Sequence, residues 1–251
     1  MQWIALLLTS MSMILHAHEI QSITQNINLR KQNQTGWQQD LIAKISSGAF
    51  IFGAQATYLD RFNLFEKRAG GLLAYKSGER WNFELSFLAG IGVEILPQND
   101  LTITTYYTLS PGLTPFAILR KAHYSQTKVP TSILGIEIEK ISGFIFIPTC
   151  MLGKATFTDP AQTKDVFSAG LRVSYYEEEV FTISVFGYKG KEASQSIIGR
   201  SARLVNTLTG GASLRYHITK NTSAEITFDH TDYDELGTEF HTTTLKISRI
   251  L

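Results

Sequence analysis

Apolar and polar residues alternate with a period of two along most of this chain. Trp81, Phe83, Leu85 and Phe87 interleave with Asn82, Glu84 and Ser86, and Leu101, Ile103, Thr105, Tyr107 and Leu109 with Thr102, Thr104, Tyr106 and Thr108. The contrast recurs in Phe167, Ala169, Leu171, Val173 and Tyr175, in Leu208, Gly210, Ala212, Leu214 and Tyr216, in Ala224, Ile226 and Phe228, and in Leu245 and Ile247. Successive side chains of a strand point to opposite faces, so each segment predicts a strand with one apolar and one polar face.

The connections sharpen this reading. Short turns fall at residues 46–48, 77–79, 110–112, 141–143, 177–179 and 220–222, several with the Gly, Asn or Ser that tight hairpins favour. Between them lie longer polar stretches near residues 31–36, 60–66, 91–100, 123–130, 154–164, 189–202 and 230–238. Short and long connections in strict alternation, with segments of about ten residues, are the signature of an antiparallel transmembrane β-barrel. The turn count predicts about fourteen strands, with both termini and the short turns on the periplasmic side and the longer loops outside. Twelve strands is the second choice, because residues 19–30 and 36–46 alternate poorly. Pro148, inside the run from Phe144 to Leu152, removes a ladder donor and predicts a bulge or a strand end. The stretch Phe116 to Tyr124 has adjacent apolar residues and charges at Arg120 and Lys121, so its faces stay unassigned.

A soluble sandwich also alternates, but its polar phase faces bulk water and is rich in Lys and Glu. Here the polar phase is mostly Ser, Thr and Gly with sparse charges of both signs, as a hydrated lumen requires. Charged residues are 18% of the chain and the net charge is +1, so neither a nucleic-acid stripe nor an acidic tail is present. The single cysteine, Cys150, excludes an internal disulfide framework and reads as a small apolar core residue. Residues 1–17 read as a secretory leader: Trp3 to Leu15 is mostly apolar but too short to span a bilayer, and Ala17 is a suitable cleavage point. Residues 18–251 then form one barrel domain in the outer membrane of a Gram-negative envelope.

Catalytic chemistry finds little support. Asp229, His230, Thr231, Asp232, Tyr233, Asp234 and Glu235, at the outer end of the penultimate strand, are the best candidate for a rim active site like that of a membrane protease, where Asp and His activate a water. Adjacent residues of a strand face opposite ways, which sets Asp229 and His230 apart. Ser213 and His217 share a face but lie four apart, roughly 13 Å, too far for a nucleophile and its base. No G-x-S-x-G elbow occurs, and Gly210-Gly211 sits mid-strand, where it permits close packing or a bend rather than cradling phosphate. No group of His, Cys or carboxylates has zinc spacing, and neither a metal nor a cofactor is expected. Trp81, Tyr107, Tyr175 and Tyr216 fall on the lipid phase and read as interfacial anchors rather than a sugar platform.

The lumen phase is the remaining functional surface. The registers place Lys44, Glu84, Glu137, Glu139, Arg172, Arg215, Glu225, Asp229 and Lys246 there. Two readings stay open: opposite charges pair and plug the lumen, or they line a hydrated channel and set its selectivity. The expected partners are outer-membrane lipid, lipopolysaccharide and the barrel assembly machinery. No nucleic acid is expected, and the chain reads as a monomer.

Several stretches carry a family resemblance. Tyr58-Leu59-Asp60-Arg61-Phe62, Gly71-Leu72-Leu73-Ala74-Tyr75, Ile95-Leu96-Pro97-Gln98 and Gly210-Gly211-Ala212-Ser213-Leu214-Arg215-Tyr216 resemble the YaiO family of outer-membrane β-barrels. The resemblance implies an outer-membrane location and no established enzyme activity. Similar barrels form the membrane part of exopolysaccharide exporters, so a tie to polysaccharide or surface-glycan handling follows by analogy of fold. Such barrels commonly end in an aromatic residue that the assembly machinery reads; Leu251 stands in that position here. The sequence thus predicts a small channel or envelope structural barrel and not an enzyme. A barrel enzyme with a rim site near Asp229 to Glu235 is the alternative.

Overall fold

A computed structural model describes residues 18–29, 34–61, 64–78, 80–90, 92–93, 96–141, 143–158, 161–178, 180–195, 202–234 and 238–251. The leader, residues 1–17, lies outside the described residues. The fourteen strands are β1 (Glu19–Leu29), β2 (Gln34–Ser47), β3 (Phe50–Arg61), β4 (Leu64–Ser77), β5 (Trp81–Gly90), β6 (Asn99–Tyr107) and β7 (Leu113–His123), followed by β8 (Thr127–Ile141), β9 (Phe144–Thr158), β10 (Ala161–Glu177), β11 (Phe181–Gln195), β12 (Ala202–Thr219), β13 (Thr222–Tyr233) and β14 (Thr238–Ile250). Every strand pairs antiparallel with its chain neighbours, and β1 pairs β14 from Glu19↔Ile250 to Leu29↔Phe240, which closes the barrel. Closure leaves no edge strand, the only way a sheet satisfies its backbone in lipid. The termini meet at one end, where the Leu251 amide donates to the His18 carbonyl at 2.9 Å.

The register assigns each residue a face. The apolar phase points outward: Phe83, Phe87, Leu101, Leu119, Leu134, Leu152, Leu171, Leu214 and Leu245 are all exposed on the outer wall. At the termini end this wall carries paired rings, Phe50 with Tyr75 at 4.8 Å, Trp81 with Tyr107 at 4.6 Å and Phe144 with Tyr175 at 5.0 Å. Toward the other, distal end, Trp37 and Tyr58 stack at 4.9 Å. An aromatic girdle at the termini end and a cluster of Trp37, Tyr58 and Phe65 at the distal end border the apolar band, as on the outer surface of a transmembrane barrel.

Four expectations change in detail. The stretches near residues 123–130, 154–164 and 189–202 are not simply loops: they contain the start of β8, the end of β9 with the start of β10, and the end of β11. The distal gaps between strands shrink to residues 62–63 and 159–160 at β3–β4 and β9–β10, while β10 and β12 reach 17 and 18 residues. Beyond the apolar band the outer face turns polar while the inner face carries Ala155, Phe157 and Val205, so the contrast that marks the lipid side is lost although pairing continues. Pro148 is neither a bulge nor a strand end. It faces outward in mid-β9, in register with Leu171, and the β8–β9 pairing lapses beside it between Gly135↔Thr149 and Ile138↔Phe146. A proline removes a donor on one side of a strand only, and here that side faces β8. The stretch from Phe116 to Tyr124 resolves into β7, with Phe116, Ile118 and Arg120 inward and Leu119 and Lys121 outward. Both doubtful N-terminal segments are full members of the barrel. In β1 the phases are reversed: Ile27 and Leu29 are buried inside, while Thr24, Asn26 and Asn28 face out. Two hydrogen bonds satisfy part of that outward polar face, Thr24 Oγ1 donating to Gln39 Oε1 and Gln39 Nε2 to Ser22 Oγ, each at 2.7 Å.

Candidate functional site in the lumen

Toward the distal end the inner wall is apolar and buried. Leu29, Leu59, Ala122, Ala155, Phe157, Val166 and Val205 all face inward from six strands and have at most 3% of their surface exposed. Inward residues of an open channel are wet, so this buried layer narrows the lumen, with Ala155, Phe157 and Val166 packed as one cluster. Val93, from the connection between β5 and β6, joins it at 2% exposure. The Leu96 amide donates to Glu66 Oε2 at 2.7 Å, which pins that connection to the inner face of β4. Gly90 is required at its start: a Cβ there would lie 2.8 Å from both Val93 and Arg68.

Level with Ala122, the register partner of Asp100, lies a charged clasp. Asp100 of β6 accepts two hydrogen bonds from Arg120 of β7, Nε to Oδ1 at 2.9 Å and Nη2 to Oδ2 at 2.7 Å. Arg68 of β4 reaches the same carboxylate at 3.7 Å, and its Nε makes no hydrogen bond. Next to it Asp40 of β2 accepts from Thr57 Oγ1 at 2.6 Å and from Gln38 Nε2 at 2.8 Å. One carboxylate between two guanidinium groups holds β4, β6 and β7 together across the inner wall.

The termini half of the lumen is wetter and holds the residues selected from the sequence. Lys44 pairs with Glu19 at 3.4 Å. Arg215 donates to Glu225 Oε2 through Nε at 3.0 Å and Nη2 at 2.6 Å, and the Arg215 side chain stays 44% exposed. Lys246 lies opposite Glu225 on β14. Glu84 faces inward opposite Thr104, and Glu137 opposite Thr114. Arg172 lies over the Phe186 ring at 5.1 Å, a cation–π contact. Asp229 faces inward between Gly211 and Thr242. Glu139 accepts from the Tyr176 hydroxyl near the turn of β8. All of these candidates therefore share the inner side of the barrel. The sequence reading missed the clasp of Arg68, Asp100 and Arg120, and also the inward aromatics Tyr106, Phe116, Phe186 and Tyr188. Tyr106 and Phe116 stand 5.5 Å apart and Phe186 and Tyr188 5.8 Å apart.

The proposed rim dyad does not assemble. Asp229 points into the barrel and His230 out of it, so the two cannot activate one water. His230 instead meets His241 on the outer wall, their rings 4.6 Å apart. Glu235 lies outside the described residues.

No protein-family model matches the chain, and no curated protein matches its sequence. Solved structures do match its fold. A bacterial polysaccharide outer membrane secretin is 11% identical, with 94% of this chain and 99% of that chain covered and a TM-score of 0.58. The CymD monoaromatic hydrocarbon channel is 11% identical over 98% and 92% of the two chains, with a TM-score of 0.59. An anion-selective porin from Comamonas acidovorans is 9% identical over 92% and 98%, with a TM-score of 0.51. At these identities the likeness is one of fold: a closed antiparallel barrel of the outer-membrane kind.

Proposed function

We propose that this protein is an outer-membrane channel of the YaiO type, closed at rest, whose permeants are polar, uncharged solutes of the glycan class. The observation that carries this is the division of the lumen. A hydrated half, lined by charges of both signs and aromatic faces, lies under a buried layer toward the distal end. Lys44, Arg172, Arg215 and Lys246 face the lumen beside Glu19, Glu84, Glu137, Glu139, Glu225 and Asp229. A wall of mixed signs lacks the single-sign rings that make an anion or cation filter. Tyr106, Phe116, Phe186 and Tyr188 add flat apolar faces beside hydrogen-bonding groups, the pairing that sugars need. The fold likeness to a polysaccharide outer membrane secretin and a monoaromatic hydrocarbon channel supports passage of a solute, and the resemblance to the YaiO family supports the glycan link. In this reading residues 1–17 export the chain, the termini face the periplasm, and one chain closes the barrel by itself. The assembly machinery reads β14.

Lipopolysaccharide is the proposed lipid partner. Leu101, Ile103, Leu119, Leu152 and Phe167 line a groove of about 780 Å³ on the outer wall, with Lys121 and Lys154 on its distal side. Acyl chains fit the first set and lipid phosphates the second.

The test is planar-bilayer conductance of the refolded, leader-free protein, with liposome swelling in oligosaccharide solutions beside it. The expected result is small, rare openings for the wild type. Glu66→Gln, which loosens the β5–β6 connection, should lengthen those openings and speed swelling. Silence from both proteins, each shown to be folded by its heat-dependent gel shift, would overturn the channel and leave an envelope structural barrel.

A further inference from the structure

The outer wall between β13 and β14 brings together three metal-binding side chains. His230 pairs directly with His241, and Glu239 lies two residues before His241 on the same face of β14. The two imidazoles and the carboxylate each present a ligand atom, all within 4.8 Å of one another. Side chains two apart on a strand share a face, and directly opposed residues on paired strands have their Cβ atoms within about 5.5 Å. This hairpin therefore builds a three-pronged site from its backbone alone.

Two further observations favour a cation. His230 Nδ1 and His241 Nε2 are both shut off from solvent, and neither makes a hydrogen bond. A buried imidazole nitrogen with no partner loses its hydration for nothing, and a metal ion restores the missing interaction to both at once. The surroundings also leave space. The neighbour of His230 on β12 is Gly210, where even an added Cβ would approach nothing closer than 3.8 Å. On the far side, Asn28 of β1 pairs with His241 and places a carboxamide next to the site. Asp232, the cross-strand partner of Glu239, adds a second carboxylate on the same face.

We propose that His230, His241 and Glu239 form a binding site for a divalent transition-metal ion of the zinc class. Two imidazoles and one carboxylate suit zinc, nickel or copper, whereas magnesium and calcium take oxygen ligands. In a tetrahedral site with metal–ligand bonds of about 2.0–2.1 Å the ligand atoms stand roughly 3.3 Å apart, so rotamer adjustments within the present spacing close it. Three protein ligands leave a fourth position for water or for Asp232. The bound ion clips β13 to β14 one strand from the seam at which β1 closes the barrel. This is a different surface from the lumen, and it stands whether or not the lumen conducts.

The experiment uses the refolded full barrel without a polyhistidine tag. Co2+ is titrated first for its visible absorption, and Zn2+ is then used to displace it. One saturable equivalent is expected, with Mg2+ in excess failing to compete. His230→Gln and His241→Gln should each weaken binding by more than the roughly 10-fold that follows loss of even an outer-shell partner. The double variant should lose the saturable phase, and Glu239→Gln should weaken it, while His217→Gln, whose side chain faces the lumen, should leave it unchanged. In the wild type, Zn2+ should shield His230 and His241 from diethylpyrocarbonate as read by mass spectrometry, a measurement that needs no variant. Absence of saturable binding, binding intact in the double variant, or equal modification of both histidines with and without Zn2+ would overturn the site.

Discussion

Arg215 aims two donors at one oxygen of Glu225 and Arg120 forks onto both oxygens of Asp100, and the two pairs should respond to mutation in opposite ways. Arg215 is 44% exposed in the hydrated half of the lumen, where a salt bridge contributes about 0–1 kcal/mol. Glu225→Gln should therefore leave urea unfolding almost unchanged. It should still alter the pore, because the freed Arg215 beside Lys246 shifts the wall in the anion direction relative to the wild type; the reversal potential under a salt gradient, measured with Glu66→Gln as the open background, reads this directly. Asp100 is only 9% exposed and serves two guanidinium groups. Asp100→Asn leaves Arg68 buried without a counter-charge, and its expected cost is about 3–5 kcal/mol, visible as a lower urea midpoint with an unchanged slope. An unfolding midpoint equal to wild type would mean that water reaches the clasp. Alternation marked Arg215 and Glu225 as lumen residues because the outward neighbours Leu214, Tyr216, Ala224 and Ile226 make the contrast sharp. It failed at Arg120, where the outward Leu119 faces lipid and the inward Phe116 and Ile118 are also apolar, so both faces look alike in one dimension.

At the scale of the element, β1 shows why two early segments read poorly. Its inward residues Ile27 and Leu29 belong to the dry distal layer, so its apolar side is the lumen side. No rule that equates apolar with outward can assign it, and only the pairing with β14 and β2 fixes its register. The histidine pair was hidden for a related reason. His230 and His241 are brought together by a hairpin, and local ligand spacing carries no sign of it. Turns, by contrast, were legible: Gly48, Gly78, Gly112 and Gly143 all adopt positive φ at the termini end, in four of the six short connections expected there. Gly112 is the most constrained of these, with φ of 74° and space so tight that a Cβ would lie 2.3 Å from the Glu139 carbonyl oxygen. That oxygen belongs to β8, so the clash lies between the β6–β7 turn and the next strand. Gly112→Ala should cost more than the roughly 1 kcal/mol of a left-handed alanine alone, since backbone must move as well. Gly48→Ala, with the same sign of φ and open space around it, should cost only that smaller amount. Comparing the gel-shift temperatures of the two variants separates backbone conformation from steric contact; equal losses would show that the β6–β7 turn yields freely.

For the whole molecule, the two walls of the barrel face different solvents, and the distal margin is where they differ most in charge. Outward lysines gather there: Lys67 on β4, Lys121 on β7, Lys128 on β8, Lys154 on β9, and Lys189 and Lys191 on β11. Asp60 on β3, Asp165 on β10, Asp232 on β13 and Glu239 on β14 share the outer face, Asp165 as the register partner of Lys154. The chain as a whole is nearly neutral, so this excess of lysine over carboxylate is a matter of placement, not of composition. In the lipopolysaccharide contact we propose, these lysines face lipid phosphates, an attraction of about 1 kcal/mol per residue near an anionic surface. Charge reversal is the sensitive probe, because it turns attraction into repulsion without touching the groove below. The double variant Lys121→Glu, Lys154→Glu should retain several-fold less lipopolysaccharide after detergent extraction, as measured by phosphate content per barrel. Its gel shift in lipid-free detergent should match the wild type, since neither lysine contributes to the closed hydrogen-bond ladder. Enlarging the groove's apolar lining instead, as in Ser132→Leu, should leave the phosphate dependence unchanged. If the double reversal retains as much lipid as the wild type, the lysines act only as solubilising residues above the membrane, and the groove holds acyl chains of any lipid alike.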